Sequence, residues 1–112
     1  MKTGNIFSGI PDKLPDELFE ELVSGGPFRL ERIVSKGHVT PENKWYDQDE
    51  DEWVLLLEGR ARLLFEQGSA AAIEVEMGPG DYILIPARCR HRVVWTAPDQ
   101  ETIWLALHFK RG

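Results

Sequence analysis

From Phe28 to Phe109 the chain consists of short segments in which apolar and polar residues alternate, separated by turn residues. Seven such segments occur: Phe28–Ser35, Trp53–Leu57, Arg60–Glu66, Ala71–Met77, Asp81–Ile85, Arg92–Thr96 and Thr102–Phe109. Alternation places successive side chains on opposite faces of a strand, and regularly spaced short strands are typical of barrels and sandwiches. The pattern therefore predicts an all-β barrel or sandwich of antiparallel strands.

Glycine-containing turns separate several of the predicted strands. Glu58-Gly59 is expected to close a tight hairpin, and Gln67-Gly68-Ser69 a second one. Gly78-Pro79-Gly80-Asp81 predicts a turn before the next strand, since glycine, proline and aspartate are the residues that turns favour.

The segment Asp12–Val23 has a different pattern from the rest of the chain. Leu14, Leu18 and Leu22 recur at helical spacing beside acidic residues, which predicts a short amphipathic helix. Gly25-Gly26-Pro27 follows and is expected to end it, because glycine and proline disfavour continuation of a helix. We expect this helix to pack on the outside of the main body.

The length of 112 residues is sufficient for one domain, and 42% hydrophobic residues with four tryptophans can supply its core. We therefore expect an N-terminal segment, 1–27, that packs on a β-barrel formed by 28–112.

Charge and composition argue against several classes of protein. The formal net charge is −6, so the chain lacks the overall basic field that attracts nucleic acids or anionic membranes. No apolar run approaches the ~20 residues that cross a bilayer, and residues 1–9 do not resemble a signal peptide. Cys89 is the single cysteine, which excludes an intrachain disulfide. We predict a cytoplasmic protein that binds neither nucleic acid nor membrane.

Two motif-like spacings lie within the predicted strands. Glu52 and Gly59 enclose six residues, and Gly80 is followed after five residues by Pro86 and then by His91. In this order and interval the spacings resemble the two signature motifs of the cupin superfamily. The chain is similar to small bacterial single-domain cupins of unassigned role. The resemblance implies a double-stranded β-helix, or jelly-roll, barrel.

The first cupin motif normally places two histidines before its glutamate, and this chain has none there. A four-residue spacer before Glu52 puts the two positions at Trp45 and Asp47, and a three-residue spacer puts them at Tyr46 and Gln48. In the second motif Arg88 replaces a glycine and Trp95 an asparagine. The resemblance covers Gly37 to Trp95, about half of the chain.

The mouth of a cupin barrel often holds a divalent metal on three histidines and a glutamate. If Glu52 and His91 point inward, a mixed set of nitrogen and oxygen ligands results, with Asp47 and His108 as further members. Imidazole and carboxylate suit Zn²⁺, Mn²⁺, Fe²⁺ or Ni²⁺, so the candidate metal ligands are Glu52, His91, Asp47 and His108. The alternative is that Glu52 and His91 hydrogen-bond across a barrel without metal. No organic cofactor is indicated.

Alternation from His91 places Cys89 and Trp95 on its face, and Trp104 shares the face of His108. Trp95 and Trp104 are therefore candidates for the walls of a ligand pocket near the metal positions, with Cys89 beside them. The alternative roles are core packing and dimer contacts for the tryptophans, and an inert buried thiol for Cys89.

Three functions are compatible with this sequence. The first is a small-molecule-binding cupin that uses the barrel mouth, with or without a divalent metal. The second, implied by the resemblance, is a metal-dependent enzyme of dioxygenase or isomerase type. The third is a metal-free dimeric barrel with a structural or interaction role, in which no open pocket is expected. The resemblance also implies pairing into homodimers.

Overall fold

The computed structural model describes residues 1–68 and 70–110, and within these ranges the chain is all-β. Its eight strands are β1 Leu18–Ser24, β2 Phe28–Ser35, β3 Asp51–Glu58, β4 Ala61–Gln67, β5 Ala70–Met77, β6 Tyr82–Ile85, β7 His91–Thr96 and β8 Thr102–Phe109. The seven predicted strands correspond to β2–β8. No helix in the described part of the chain is long and apolar enough to cross a membrane.

The strands form two antiparallel sheets, one with the order β1-β2-β8-β3-β6 and one with the order β5-β4-β7. The buried core contains side chains from both sheets, among them Val54 and Trp104 from the larger sheet and Leu63 and Phe65 from the smaller one. Because alternate residues face this core, each strand presents its other face outward. The two sheets therefore enclose the interior predicted for a barrel.

The predicted helix at Asp12–Val23 is wrong, because β1 occupies its second half and pairs antiparallel with β2. Gly25-Gly26-Pro27, predicted to end a helix, instead connects two strands, and the Gly25 amide donates to the Phe28 carbonyl at 3.0 Å. An isolated helix of this length is marginal, whereas the edge of β2 offers a row of unpaired backbone groups. Pairing with that edge overrides the helical periodicity.

A buried arginine attaches the N-terminal residues to the larger sheet. Arg32 is 5% exposed and forms an ion pair with Glu20. Its Nη1 donates to the carbonyls of Ile6 at 3.1 Å and Ser8 at 2.6 Å. The segment before β1 is thus held against the barrel, while the division into 1–27 and 28–112 stays a prediction.

The turn at Gly59 is present but does not close a hairpin. The prediction of a hairpin at Glu58-Gly59 is wrong, because β3 pairs with β6 and β8 whereas β4 pairs with β5 and β7. Gly59 has a φ of +94° and carries the chain from one sheet to the other. The turn at Gly78–Asp81 is confirmed by a 3.0 Å bond from the Asp81 amide to the Gly78 carbonyl. Ser69 of the remaining predicted turn lies outside the described residues.

Candidate functional site

A cavity of about 180 Å³ lies between the two sheets. Its apolar walls come from both sheets and include Val54, Leu63 and Trp104. Its polar lining is concentrated on the larger sheet and comprises Glu17, Arg29, Glu31, Gln48, Glu52, His91 and His108. Convergent polar groups in an apolar pocket are the usual composition of a ligand site.

Glu52 and His91 form the first carboxylate–imidazole pair in the cavity. They are 8% and 5% exposed, and Glu52 Oε1 lies 3.5 Å from His91 Nε2. Gln48 Nε2 donates to the same carboxylate oxygen at 3.0 Å. The other ring nitrogen of His91 lies 2.9 Å from the Cys89 carbonyl, which can only accept, so Nδ1 donates to it. This bond orients the ring with Nε2 toward Glu52.

Tyr46 holds the other side of His91. The backbones of the two residues exchange hydrogen bonds of 2.8 and 3.1 Å, and their rings stack at a centroid distance of 5.4 Å. Phe65 stacks on the same imidazole at 5.8 Å. Because Tyr46 and Gln48 both line the cavity, the three-residue spacer describes this chain, and these two residues stand where the first cupin motif has histidines.

A second carboxylate–imidazole pair lies on the neighbouring strands. His108 on β8 is directly opposite Glu52 on β3, and its Nε2 lies 3.0 Å from Glu31 Oε1 on β2. His108 is 5% exposed, and its Nδ1 has no hydrogen-bond partner among the described residues. Three adjacent strands thus bring Glu31, His108 and Glu52 to one wall of the cavity.

Glu17 reaches the cavity from just before β1. It accepts a short hydrogen bond from the Ser35 hydroxyl, and the Trp104 indole donates to the Ser35 oxygen at 3.3 Å. Burial raises the pKa of Glu17, and the hydrogen bond from Ser35 and the proximity of His38 lower it by less. Ionisation of this carboxyl is therefore less favourable in the folded chain than in water.

Two other pKa values are shifted by the cavity. Burial alone would raise the pKa of Glu52, but hydrogen bonding to His91 and the proximity of His108 outweigh it, so the pKa is lowered. Burial also raises the pKa of the Tyr46 phenol, and the negative charges of Glu17, Glu52 and Glu31 raise it further. The phenol thus experiences the field of three carboxylates.

Four of the seven residues predicted from the sequence as site residues line this cavity or pair within it: Glu52, His91, His108 and Trp104. Asp47 does not, since its side chain points to the surface and pairs with Arg88 Nε at 3.1 Å. It is adjacent to Tyr46 and Gln48, which face inward, so alternation directs it outward.

Trp95 and Cys89 also lie apart from the cavity lining. The pairing of β4 with β7 shifts register, so that Leu63 is opposite Val93 while Arg62 is opposite Trp95. This bulge moves Trp95 to the outer face, where the Arg62 guanidinium lies 5.0 Å from its ring. Cys89 precedes β7, and it packs against the core beside a different groove.

Cys89 lies between the turn that contains Arg88 and the start of β7, outside any strand, so strand alternation from His91 does not apply to it. Sequence reasoning also missed Glu17 and Glu31 as cavity residues. For Glu31 a signal existed, because alternation in β2 places it on one face with Ile33 and Ser35. Glu17 carried no such signal, because its segment reads as a helix.

The cavity residues do not fit the family's metal centre. Two of its four ligand positions hold a phenol and a carboxamide, Tyr46 and Gln48, and the Gln48 amide is bonded to Glu52. His108 is held by Glu31, and Asp47 lies on the surface. Within the described ranges, no three His, Cys, Asp or Glu side chains form a group that could hold a metal ion. We therefore derive no metal-dependent chemistry from this site.

Glu52→Gln and Glu17→Gln are expected to change stability in opposite directions at neutral pH. The pKa of Glu52 is lower in the folded chain than its ordinary value of 4.5, so its ionised form stabilises the fold above that pH. This contribution is lost as the pH falls through the folded pKa. The pKa of Glu17 is raised, so ionisation of Glu17 destabilises the fold, and protonation at lower pH relieves the cost.

Urea denaturation of both variants and the wild type, at neutral pH and at about pH 4, checks this prediction. At neutral pH, Glu52→Gln should reduce the free energy of unfolding and Glu17→Gln should increase it. Both differences should shrink in acid. Losses of equal size in the two variants would contradict the assigned environments.

A family model described as a cupin domain matches residues 31–108. The chain therefore belongs to the cupin family, which confirms the assignment made from the motif spacings, and cupins commonly bind a divalent metal.

Among solved structures, a candidate mannose-6-phosphate isomerase from Ralstonia eutropha JMP134 shares 40% identity over 99% of this chain and 100% of that chain, with a TM-score of 0.90. A cupin superfamily protein from Desulfitobacterium hafniense DCB-2 shares 16% identity, with 91% and 84% coverage and a TM-score of 0.72. A Thermus thermophilus protein shares 14% identity over 100% of both chains, with a TM-score of 0.77. The last two similarities show the fold alone. No curated protein matches the chain.

Proposed function

We propose that this cupin binds a small organic molecule in the cavity between its sheets, directly through side chains and without a metal ion. The observation that carries the proposal is the convergence of two buried carboxylate–imidazole pairs, Glu52–His91 and Glu31–His108, on the same cavity. Tyr46 and Gln48 stand where a metal-binding cupin has histidines, which favours direct contact between ligand and protein.

Burying these pairs costs folding free energy unless their polar atoms are fully hydrogen-bonded. A buried carboxylate loses its hydration and is normally kept only where partners compensate. Glu52 and His91 are almost inaccessible, yet their paired atoms are 3.5 Å apart, which is long for a strong charge-assisted bond. A ligand with hydroxyl or amino groups would complete the hydrogen bonding of both side chains.

An isomerase is the second candidate. The similar Ralstonia protein is a candidate mannose-6-phosphate isomerase, and the lowered pKa of Glu52 keeps an ionised carboxylate next to an imidazole in the cavity. Such a pair can take a proton from one carbon of a hydroxycarbonyl substrate and return it to the neighbouring carbon, while a second proton passes from the hydroxyl oxygen to the carbonyl oxygen. The dioxygenase alternative lacks a suitable metal-ligand set, and the scaffold alternative expects a filled barrel rather than a cavity.

Two further expectations stay predictions. A homodimer is compatible with the edge position of β1, which carries the half-exposed side chains of Phe19 and Val23. The cytoplasmic location likewise rests on sequence composition.

Metal analysis and ligand titration together test the proposed function. We expect purified tag-free protein to contain far less than one metal ion per chain, and added Zn²⁺, Mn²⁺, Fe²⁺ or Ni²⁺ to leave the melting temperature unchanged. The proposal would be contradicted by a ratio near one metal ion per chain that is lost in Glu52→Gln and retained in Glu74→Gln. Glu74 is a matched control because its exposed carboxylate lies on β5, outside the cavity.

Titration with small alcohols, amines, carboxylates and mannose-6-phosphate then asks whether the cavity binds anything. The proposal expects at least one class to raise the melting temperature of the wild type and of Glu74→Gln, but not of Glu52→Gln. Turnover of mannose-6-phosphate, with incorporation of solvent deuterium into the product, would favour the isomerase instead.

A further inference from the structure

The cavity has an excess of negative charge. Glu17, Glu31 and Glu52 line it, whereas Arg29 is the one Lys or Arg side chain in the lining formed by the described residues. Counting only the Glu, Lys and Arg side chains, the formal charge of the lining is −2. Each carboxylate is costly to bury without a compensating cation.

Arg29 compensates this charge only in part. Its Nε lies 3.8 Å from Glu31, and its Nη1 lies 3.5 Å from Glu50, which is not part of the cavity lining. The Arg29 side chain is 37% exposed, so its guanidinium is shared with a surface carboxylate in contact with solvent. It therefore provides little attraction for an anionic ligand inside the cavity.

Aromatic side chains form part of the remaining wall. Phe19, Tyr46 and Trp104 all line the cavity, together with aliphatic side chains. The negative face of an aromatic ring attracts an ammonium group, and this attraction increases when the group is removed from water. Carboxylates combined with aromatic rings are the surroundings that an organic cation requires.

Glu17 is the carboxylate with the weakest compensation. The groups that lower its pKa are the Ser35 hydroxyl and the more distant His38, and they do not offset the cost of its burial. A cation in the cavity would do so. Glu17 also lies outside residues 31–108, the segment that the cupin family model matches.

Resting on the proposed function, we propose that the ligand is a small organic cation, such as a primary amine with an apolar body about the size of a six-membered ring. The volume of about 180 Å³ sets the size, since a dry cavity of about 150 Å³ accommodates benzene. The same charge distribution disfavours a sugar phosphate, whose dianion would meet three carboxylates.

Three probes of nearly equal shape isolate the effect of charge: benzylammonium, benzyl alcohol and benzoate. Isothermal titration calorimetry at low salt should give an affinity for benzylammonium at least about tenfold above that for benzyl alcohol, and no binding of benzoate or mannose-6-phosphate. Glu31→Gln and Glu52→Gln should each weaken benzylammonium by about tenfold and weaken benzyl alcohol by clearly less. Glu74→Gln should change neither.

The outcomes separate this inference from the proposed function. Equal binding of benzylammonium and benzyl alcohol would keep the cavity as a ligand site and overturn the cationic ligand. Tighter binding of benzoate or mannose-6-phosphate would overturn it as well. If none of the three aromatic probes and no mannose-6-phosphate binds, both proposals are overturned. If Glu52→Gln fails to fold, Glu31→Gln and Glu17→Gln carry the test, and unchanged benzylammonium binding in both would refute the inference.

Discussion

Gly59→Ala should lower the free energy of unfolding by about 2–5 kcal/mol, a large share of the stability of a domain of this size. Gly59 has a φ of +94°, where residues with a side chain are strained. An added Cβ would lie 2.5 Å from Thr102 Cα and 2.7 Å from the Glu101 carbonyl oxygen. Both are backbone atoms at the start of β8, so the clash cannot be relieved by a rotamer change.

Gly80→Ala is the matched control for this prediction. Gly80 has a φ of +89°, but nothing lies within 4 Å of the position of an added Cβ. It therefore carries the conformational penalty alone, about 1–2 kcal/mol. Urea denaturation followed by tryptophan fluorescence compares the two variants with the wild type. Equal losses would mean that Gly59 is required for its backbone conformation and not for the close approach of β8.

The strands were predictable where local and long-range requirements agree. In β2 to β8 the alternation, the β-branched residues and the intervening turns all favour strands, and the sheets bury the faces that the alternation marks. The segment Asp12–Val23 is the exception, because its leucines satisfy a helical period as well. Its structure depends on the free edge of β2, which no local pattern reveals.

The site residues were predictable where the motif spacing determines which face of a strand each residue occupies. The spacing from Glu52 to Gly59 and from Pro86 to His91 matches the cupin motifs, so the inward direction of the Glu52 and His91 side chains follows from the sequence. A spacer longer by one residue exchanges the inner and outer faces, so the four-residue spacer predicts Asp47 as a site residue although Tyr46 and Gln48 line the cavity. A bulge in β7 had the same effect on Trp95.

Trp104→Ala is expected to cost about 3–5 kcal/mol of stability, the usual range for truncation of a buried tryptophan. Trp104 is 3% exposed and packs in the core cluster with Val54 and Leu63. Its indole nitrogen also donates to the Ser35 hydroxyl oxygen, which in turn is bonded to Glu17. The substitution removes apolar contacts and enlarges the cavity. It also leaves the Ser35 hydroxyl, which is bonded to Glu17, without its indole donor.

Trp95→Ala is the control, because the same truncation at the outer face should cost only about 1 kcal/mol, chiefly the loss of stacking with Arg62. Chemical denaturation of both variants, followed by far-UV circular dichroism, measures the difference directly. A loss at Trp95 as large as the loss at Trp104 would place Trp95 in the interior. In that case the register shift in β7 would be wrong, and the cavity would have a fourth aromatic wall.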